Sequence, residues 1–195
     1  MNTVLRFSSA LLVLGLATGS ALAQQGGGGG GGGGGRPPLA QLVVESTAFE
    51  DGGIVPEKYA GRGGNTQPGF KFSNAPAGTV SYAIIFHDLD VALNNSTTDV
   101  LHWIVWNIPA SAGGIPEGSL PAGAVQGKNI AGQNAYFGPG APPGPRYHHY
   151  IFEIYALNAN LDLPNTAGRD ELLAAMQGKI VAKAAYVGRF KGKAQ

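Results

Sequence analysis

The sequence predicts a mostly-β sandwich with minor helices. Short runs rich in β-branched and aromatic residues recur between Leu42 and Phe190, glycine and proline punctuate the intervals, and a single stretch has convincing helical spacing. Leu42-Val43-Val44 with Phe49 reads as an opening strand, and Gly52-Gly53 as a turn. Phe70-Lys71-Phe72 alternates as a short strand, Asn74 to Gly78 turns, and Val80 to His87 is a strand again. Leu101 to Ile108 continues the β pattern and is expected to stop at Pro109, which lacks the N–H a central ladder needs. Tyr150 to Leu157 is another strand. These runs look apolar on both faces, as strands covered on two sides are.

The helix spans Arg169 to Gln177, with Asp170 and Glu171 in its first turn and Gly178 just past its end. Leu172, Leu173 and Met176 are expected to share its packed face. Ile180 to Phe190 closes the domain as a last strand.

Ahead of this domain, which we take as 39–195, lie two segments of different character. Met1 to Ala23 reads as a secretory signal peptide. Arg6 supplies the positive region, Ala10 to Leu16 is apolar but too short to span a bilayer, and Ala21-Leu22-Ala23 is a small-x-small cleavage pattern. Cleavage after Ala23 would make the mature protein periplasmic or secreted. Residues 24–38 contain the unbroken tract Gly26 to Gly35 and then Arg36-Pro37-Pro38, a composition expected to form a flexible spacer.

Composition removes several function classes. Without cysteine the chain has no disulfide framework, thiol catalysis or zinc–thiolate site, so its stability must come from a hydrophobic core. The formal charge is +1, and loss of Arg6 with the leader balances the two signs. No lysine or arginine stripe supports binding to nucleic acid or to a membrane surface, and no later segment is long and apolar enough for stable membrane insertion.

Chemistry concentrates in two β regions. Ile84 to Asp90 and Leu101 to Asn107 form one pair, while a Gly/Pro loop, Gly138 to Pro145, feeds Tyr147 to Tyr155; all four histidines lie here. A carboxylate or imidazole in an otherwise apolar strand must find a partner or serve a site. Alternation on a strand points His148 and Tyr150 one way and His149 the other. If the strands ending at Asp88 and starting near His102 are antiparallel neighbours, those two side chains approach. Asp88, His102, His148 and Tyr150, roofed by the proline loop, then make a small donor-rich pocket suited to a phosphate or carboxylate group. Asp88 would orient an imidazole or accept from a ligand hydroxyl. A self-satisfying buried network is the bland alternative. A facial metal triad of Asp88, His102 and His148 is a further one, but neither His-Glu-x-x-His nor His-x-His occurs, and no Gly-x-Ser-x-Gly elbow offers a serine nucleophile. We therefore assign no catalytic residue, no metal ligand and no cofactor.

At these residues the chain resembles the phosphatidylethanolamine-binding protein family, in its bacterial Raf-kinase-inhibitor-like branch. The resemblance runs from about Gln67 to Phe190. Asp88-Leu89-Asp90-Val91-Ala92 resembles the family's Asp-Pro-Asp-Ala-Pro motif, and His102 its histidine ahead of the next core strand. Gly138 to Pro143 resembles its Gly-x-x-Pro-Pro loop, His148-His149-Tyr150 its His-Arg-Tyr signature, and Gly127-Lys128-Asn129, Gly132 and Tyr136 the stretch before the loop. The resemblance implies a Greek-key antiparallel β-sandwich with a few short helices and a small anion pocket at one end. By matching position, Asp88, His102, His148 and Tyr150 would line that pocket, with Gly138 and Pro139 contributing from the loop. Leu89 and Ala92 replace both prolines of the acidic motif, so that loop should be less rigid and Asp90 less securely placed. An extra loop residue and His149 in place of arginine imply a different pocket mouth. The expected partner is a small phosphate- or carboxylate-like anion. A second reading is an inhibitor module facing an exported or host protein, and a third is a metal-dependent or acid–base enzyme.

Overall fold

Two sheets of unequal size form the scaffold. The computed structural model describes residues 41–193; the expected leader, its cleavage point and the glycine tract lie outside them. In chain order the strands are β1 (Val43–Glu45), β2 (Gly53–Ile54), β3 (Phe70–Ser73), β4 (Ser81–Asp88), β5 (Val100–Pro109), β6 (Gly114–Ile115), β7 (Val125–Gln126), β8 (His148–Leu157) and β9 (Ile180–Phe190), with helix α1 (Arg169–Met176) before β9. The smaller sheet has the order β1-β3-β6, the larger β2-β9-β8-β4-β5-β7. β8 returns after a long excursion to pair with β4 on the side away from β5, a Greek-key type of return. The pairing is antiparallel throughout except for β2, which runs parallel to β9.

The apolar residues explain the layering. Phe70 and Phe72 turn inward from β3 while Lys71 faces solvent, the alternation of a half-covered sheet. They meet Tyr82, Ile84 and Phe86 of β4, Trp103 and Val105 of β5, and Phe152 and Ile154 of β8 in a core between the sheets. Aromatic rings carry much of it: Phe70 lies 4.9 Å and Phe86 3.9 Å from Phe152 between centroids. A second core fills the other face of the large sheet, where Ala83, Ile85, Ile104, Trp106 and Tyr155 meet Leu161, Leu172 and Met176. β4 lies between both cores and between two strands, so all eight of its residues are buried. That is why its sequence shows no alternation.

The predicted elements are found with small changes. β5 runs through Pro109, and the short strands β6 and β7 carry too little sequence to announce themselves. α1 ends at Met176, followed by Gly178 in the left-handed region at φ 73°, where glycine is unstrained. Its packed face is narrower than expected. Leu172 and Met176, four residues apart, are fully buried, but Leu173 is a third exposed because it lies about 100° around the helix from Leu172.

Candidate functional site

One end of the large sheet brings β4, β5 and β8 together around a cavity of about 400 Å³. Asp88, the last residue of β4, pairs with Val100 on β5 and with Tyr150 on β8. His148 is two residues along β8 from Tyr150, on the same face, within diagonal reach. His102 arrives by a different route. The β4–β5 register runs Phe86 to Trp103 and then His87 to Leu101, which leaves His102 as the extra residue of a β-bulge. Strict alternation would place His102 with Ile104 and Trp106, beside α1. The bulge turns it instead to the sandwich side, 5.3 Å from both the Phe86 and Tyr150 rings.

Asp88, His102, His148 and Tyr150 all line the cavity, joined by Gly61, Arg62, Val91, Val100, Phe137, Gly140, Ala141 and Pro142. Asp88 is only 3% exposed and is committed within the protein. Its Oδ1 accepts from the Asp90 backbone N–H at 2.9 Å, and its Oδ2 lies 2.8 Å from His148 Nδ1. Its strand-end partner is therefore His148, sixty residues on, rather than His102. His102 Nδ1 lies 2.7 Å from the Phe137 carbonyl, whose own N–H donates back to the His102 carbonyl, and the two rings stack. Burial lowers the His102 pKa, against the opposing pull of the Phe137 carbonyl and the Asp88 charge. Among the described residues neither imidazole's Nε2 has a hydrogen-bond partner, and neither is sealed from solvent, so both are open to a ligand.

The Tyr150 hydroxyl accepts from the backbone N–H groups of Gly140 and Ala141, at 3.2 and 3.0 Å. Burial first, then the neighbouring Asp88 charge, pushes its pKa up, so it stays a phenol and props the loop. Gly138 and Pro139 do not line the cavity as the resemblance implied. They fasten the loop from behind: the Pro139 carbonyl accepts from Gly61 N–H at 2.9 Å, and Gly138 N–H donates to Asn65 Oδ1 at 2.8 Å. The following residues, Gly140 to Pro142, form the wall.

Asp90 is also held more firmly than its proline-poor loop suggested. Its carboxylate accepts from Arg146 at 3.0 Å and from the backbone and ring of His149 at 2.6 and 2.9 Å. Burial raises its pKa, but these donors outweigh burial and the net direction is down. His149 thus points away from the cavity, as alternation required. His87 faces α1, with Nδ1 2.6 Å from Asp99, which Arg169 also pairs. The four histidines therefore divide into two that line the cavity and two that do not.

Of the lining residues that the sequence did not announce, Arg62 is the charged one. It sits in the glycine-rich turn Gly61 to Gly64, exposed and without an ion-pair partner among the described residues. A lone arginine between glycines carries no local signal of a site; only packing of the turn against the proline loop puts it at the mouth. A larger cavity, of about 690 Å³, lies near the end of β9 around Tyr147, Phe190 and Lys191, but among the described residues it brings no buried ionisable side chain together. Among the described residues no group of three carboxylates or imidazoles is arranged to hold a metal ion.

Known proteins resemble this chain over most of its length. Residues 45–191 match the family model described as phosphatidylethanolamine-binding protein. A UPF0098 protein of Methanothermobacter thermautotrophicus is 35% identical over 153 residues, covering 76% of this chain and 97% of its own. The crystal structure of CT736 from Chlamydia trachomatis superposes with a TM-score of 0.71 at 32% identity, covering 78% of this chain and 99% of that one. YbcL of Escherichia coli, described as a member of the mammalian PEBP family, follows at 0.69 and 30% identity, covering 80% and 99%.

Proposed function

The chain belongs to the phosphatidylethanolamine-binding protein family, and on that premise we propose that it is an exported binding protein whose pocket takes a small anionic group, phosphate-like or carboxylate-like. The observation that carries this reading is the Asp88–His148 pair at 2.8 Å, with His148 Nε2 left open at the cavity wall. The Asp88 carboxylate on Nδ1 fixes the orientation of the ring and aims Nε2 into the cavity, where an imidazole that carries a proton on that nitrogen donates to an anion. Asp88 itself is engaged by the Asp90 N–H and His148, which tempers its repulsion of a bound anion. The backbone of Gly140 and Ala141 closes the cavity without a charged side chain of its own.

A binding role suits this lining better than catalysis. Among the described residues it contains no serine, threonine, cysteine or lysine to serve as a nucleophile beside the imidazoles. The histidine-and-carboxylate pair then orients a ligand contact instead of activating a neighbouring group. Export is supported by Met1 to Ala23, read as a signal peptide.

Calorimetric titration with inorganic phosphate at pH 5.5 and pH 8 tests the reading. Binding should be tighter at the lower pH, and His148→Ala should weaken it at least tenfold. Absence of heat at both pH values, with the protein folded, would remove the anion-pocket reading.

A further inference from the structure

The two open imidazole nitrogens ask different things of a ligand. A carbonyl oxygen only accepts, so His102 Nδ1, 2.7 Å from the Phe137 carbonyl, must carry the ring proton. Nε2 is then a lone pair unless the ring takes up a second proton, and burial opposes that. The ionisable groups around His102 are Asp88 on β4, His148 and Tyr150 on β8, Arg62 on its turn and, across the sheet, His87. The segment 133–139, which supplies Phe137, carries no charged side chain. Asp88 accepts from His148 and the Asp90 N–H, the Tyr150 oxygen accepts from two loop N–H groups, and the Tyr150 hydroxyl hydrogen is turned to Asp88. A ligand atom set against His102 must therefore bring its own hydrogen. An oxygen without one would press a lone pair on a lone pair and displace the water that reaches Nε2 without replacing its hydrogen bond.

The positive side of the same cavity lies at its mouth. Arg62 lines it with a guanidinium that no carboxylate neutralises among the described residues, and a planar fork of five donors matches the oxygens of a phosphate or carboxylate. Phe137, Ala141 and Pro142 line the same cavity and bring no charge to it. An anion that has kept one acidic hydrogen meets both demands, since it presents a charged oxygen to Arg62 and a hydroxyl to His102.

Resting on the anion-pocket reading above, we propose that the pocket selects the singly protonated form of a phosphate monoester, with Arg62 pairing its charge and His102 Nε2 accepting its P–O–H hydrogen. A phosphate diester has the same charge and no hydrogen to give. A fully ionised monoester has more charge and no hydrogen either. Arg62 thereby sets affinity, and His102 sets which protonation state and ester class is accepted.

The probes are methyl phosphate and dimethyl phosphate, titrated calorimetrically into the full chain at pH 5.5 and pH 8 at constant ionic strength. A phosphate monoester loses its second proton near pH 6, whereas the diester does not titrate in this range. At pH 5.5 the monoester should bind at least tenfold more tightly than the diester, and at pH 8 that advantage should shrink to about threefold or less. Arg62→Ala, at an exposed position, should weaken both esters about tenfold, and Arg62→Lys should restore part of the loss. His102→Asn keeps a donor for the Phe137 carbonyl but removes Nε2, and should bring the two esters level at pH 5.5. Equal binding of the two esters by the unaltered protein at pH 5.5, tighter monoester binding at pH 8, or indifference to Arg62→Ala would overturn the proposal while leaving an anion pocket. Failure of both esters to bind at either pH would instead count against the pocket itself.

Discussion

Asp88 carries a carboxylate into a position 3% exposed, and the protein answers it with the Asp90 N–H and the His148 ring. Buried groups of this kind cost about 1–3 kcal/mol when a partner is removed, because the orphaned donor stays away from water. Asp88→Asn keeps the shape but has one acceptor oxygen for two donors, so either the Asp90 N–H or His148 Nδ1–H is left facing an NH2. We expect a loss of about 1–3 kcal/mol in urea denaturation and a change in His148 tautomer visible in its ring nitrogen shifts. An unchanged ring spectrum would show that Asp88 does not set the orientation of His148. His102 predicts a pH dependence. Its folded pKa lies below the ordinary value near 6.5, so between the two the unfolded chain binds more protons. Its stabilising contribution is complete above about pH 6.5 and falls as the pH drops through that value towards the folded pKa. The denaturation midpoint should decline between pH 7 and pH 5 with a shallower slope in His102→Asn; equal slopes would assign the decline to other groups. The candidate residues themselves were legible because ionisable side chains stood out in apolar strands. Their partners were not: the alignment of β4 with β8 that unites Asp88 and His148 depends on a pairing sixty residues apart.

The proline loop and the turn behind it act as one element. Asn65 sits in the left-handed region at φ 47°, which asparagine tolerates, and from there its Oδ1 reaches the Gly138 N–H. A Cβ on Gly138 would come within 2.1 Å of the Tyr59 carbonyl, so the close approach of the two segments requires glycine. Gly138→Ala should therefore cost about 1–3 kcal/mol and, by displacing Gly140 to Pro142, weaken phosphate binding. Gly144→Ala, with nothing within 4 Å of its Cβ and an ordinary φ, should stay within about 0.5 kcal/mol of the parent. Paired thermal melts and phosphate titrations check this, and equal effects at the two glycines would refute the fastening role of Gly138. At this scale the strands β3, β4, β5, β8 and β9 and the helix α1 could be read from local composition, since turns, caps and apolar runs act over a few residues. The pairing of Gly138 with the turn at Gly61 could not, because neither segment has periodicity to reveal its neighbour.

Across the whole molecule, two cores on opposite faces of one sheet hold the pocket end rigid. Phe86 stacks on Phe152 at 3.9 Å and on Tyr136 at 5.5 Å, joining the core between the sheets to the wall that carries His102. Phe86→Ala should lose about 3–5 kcal/mol, among the larger single-residue losses in the domain. Calorimetric melting would measure it, and a loss below about 1 kcal/mol would mean that the aromatic cluster collapses to fill the space. The export reading belongs to this scale as well. N-terminal sequencing of protein recovered from outside the cytoplasm should begin at Gln24, and a retained Met1 would set that reading aside. What the sequence by itself determined was the β-rich class, the main strands and helix, and the side chains with chemistry to spare, because hydrophobic period, glycine, proline and charge are local properties. Only the tertiary structure decided which face His102 takes, that Asp88 serves His148, that Gly140 to Pro142 rather than Gly138 and Pro139 form the wall, and that Arg62 stands at the mouth. Each of these depends on a bulge, a register or a contact between distant segments, and such contacts are chosen by packing of the entire domain rather than by the residues on either side.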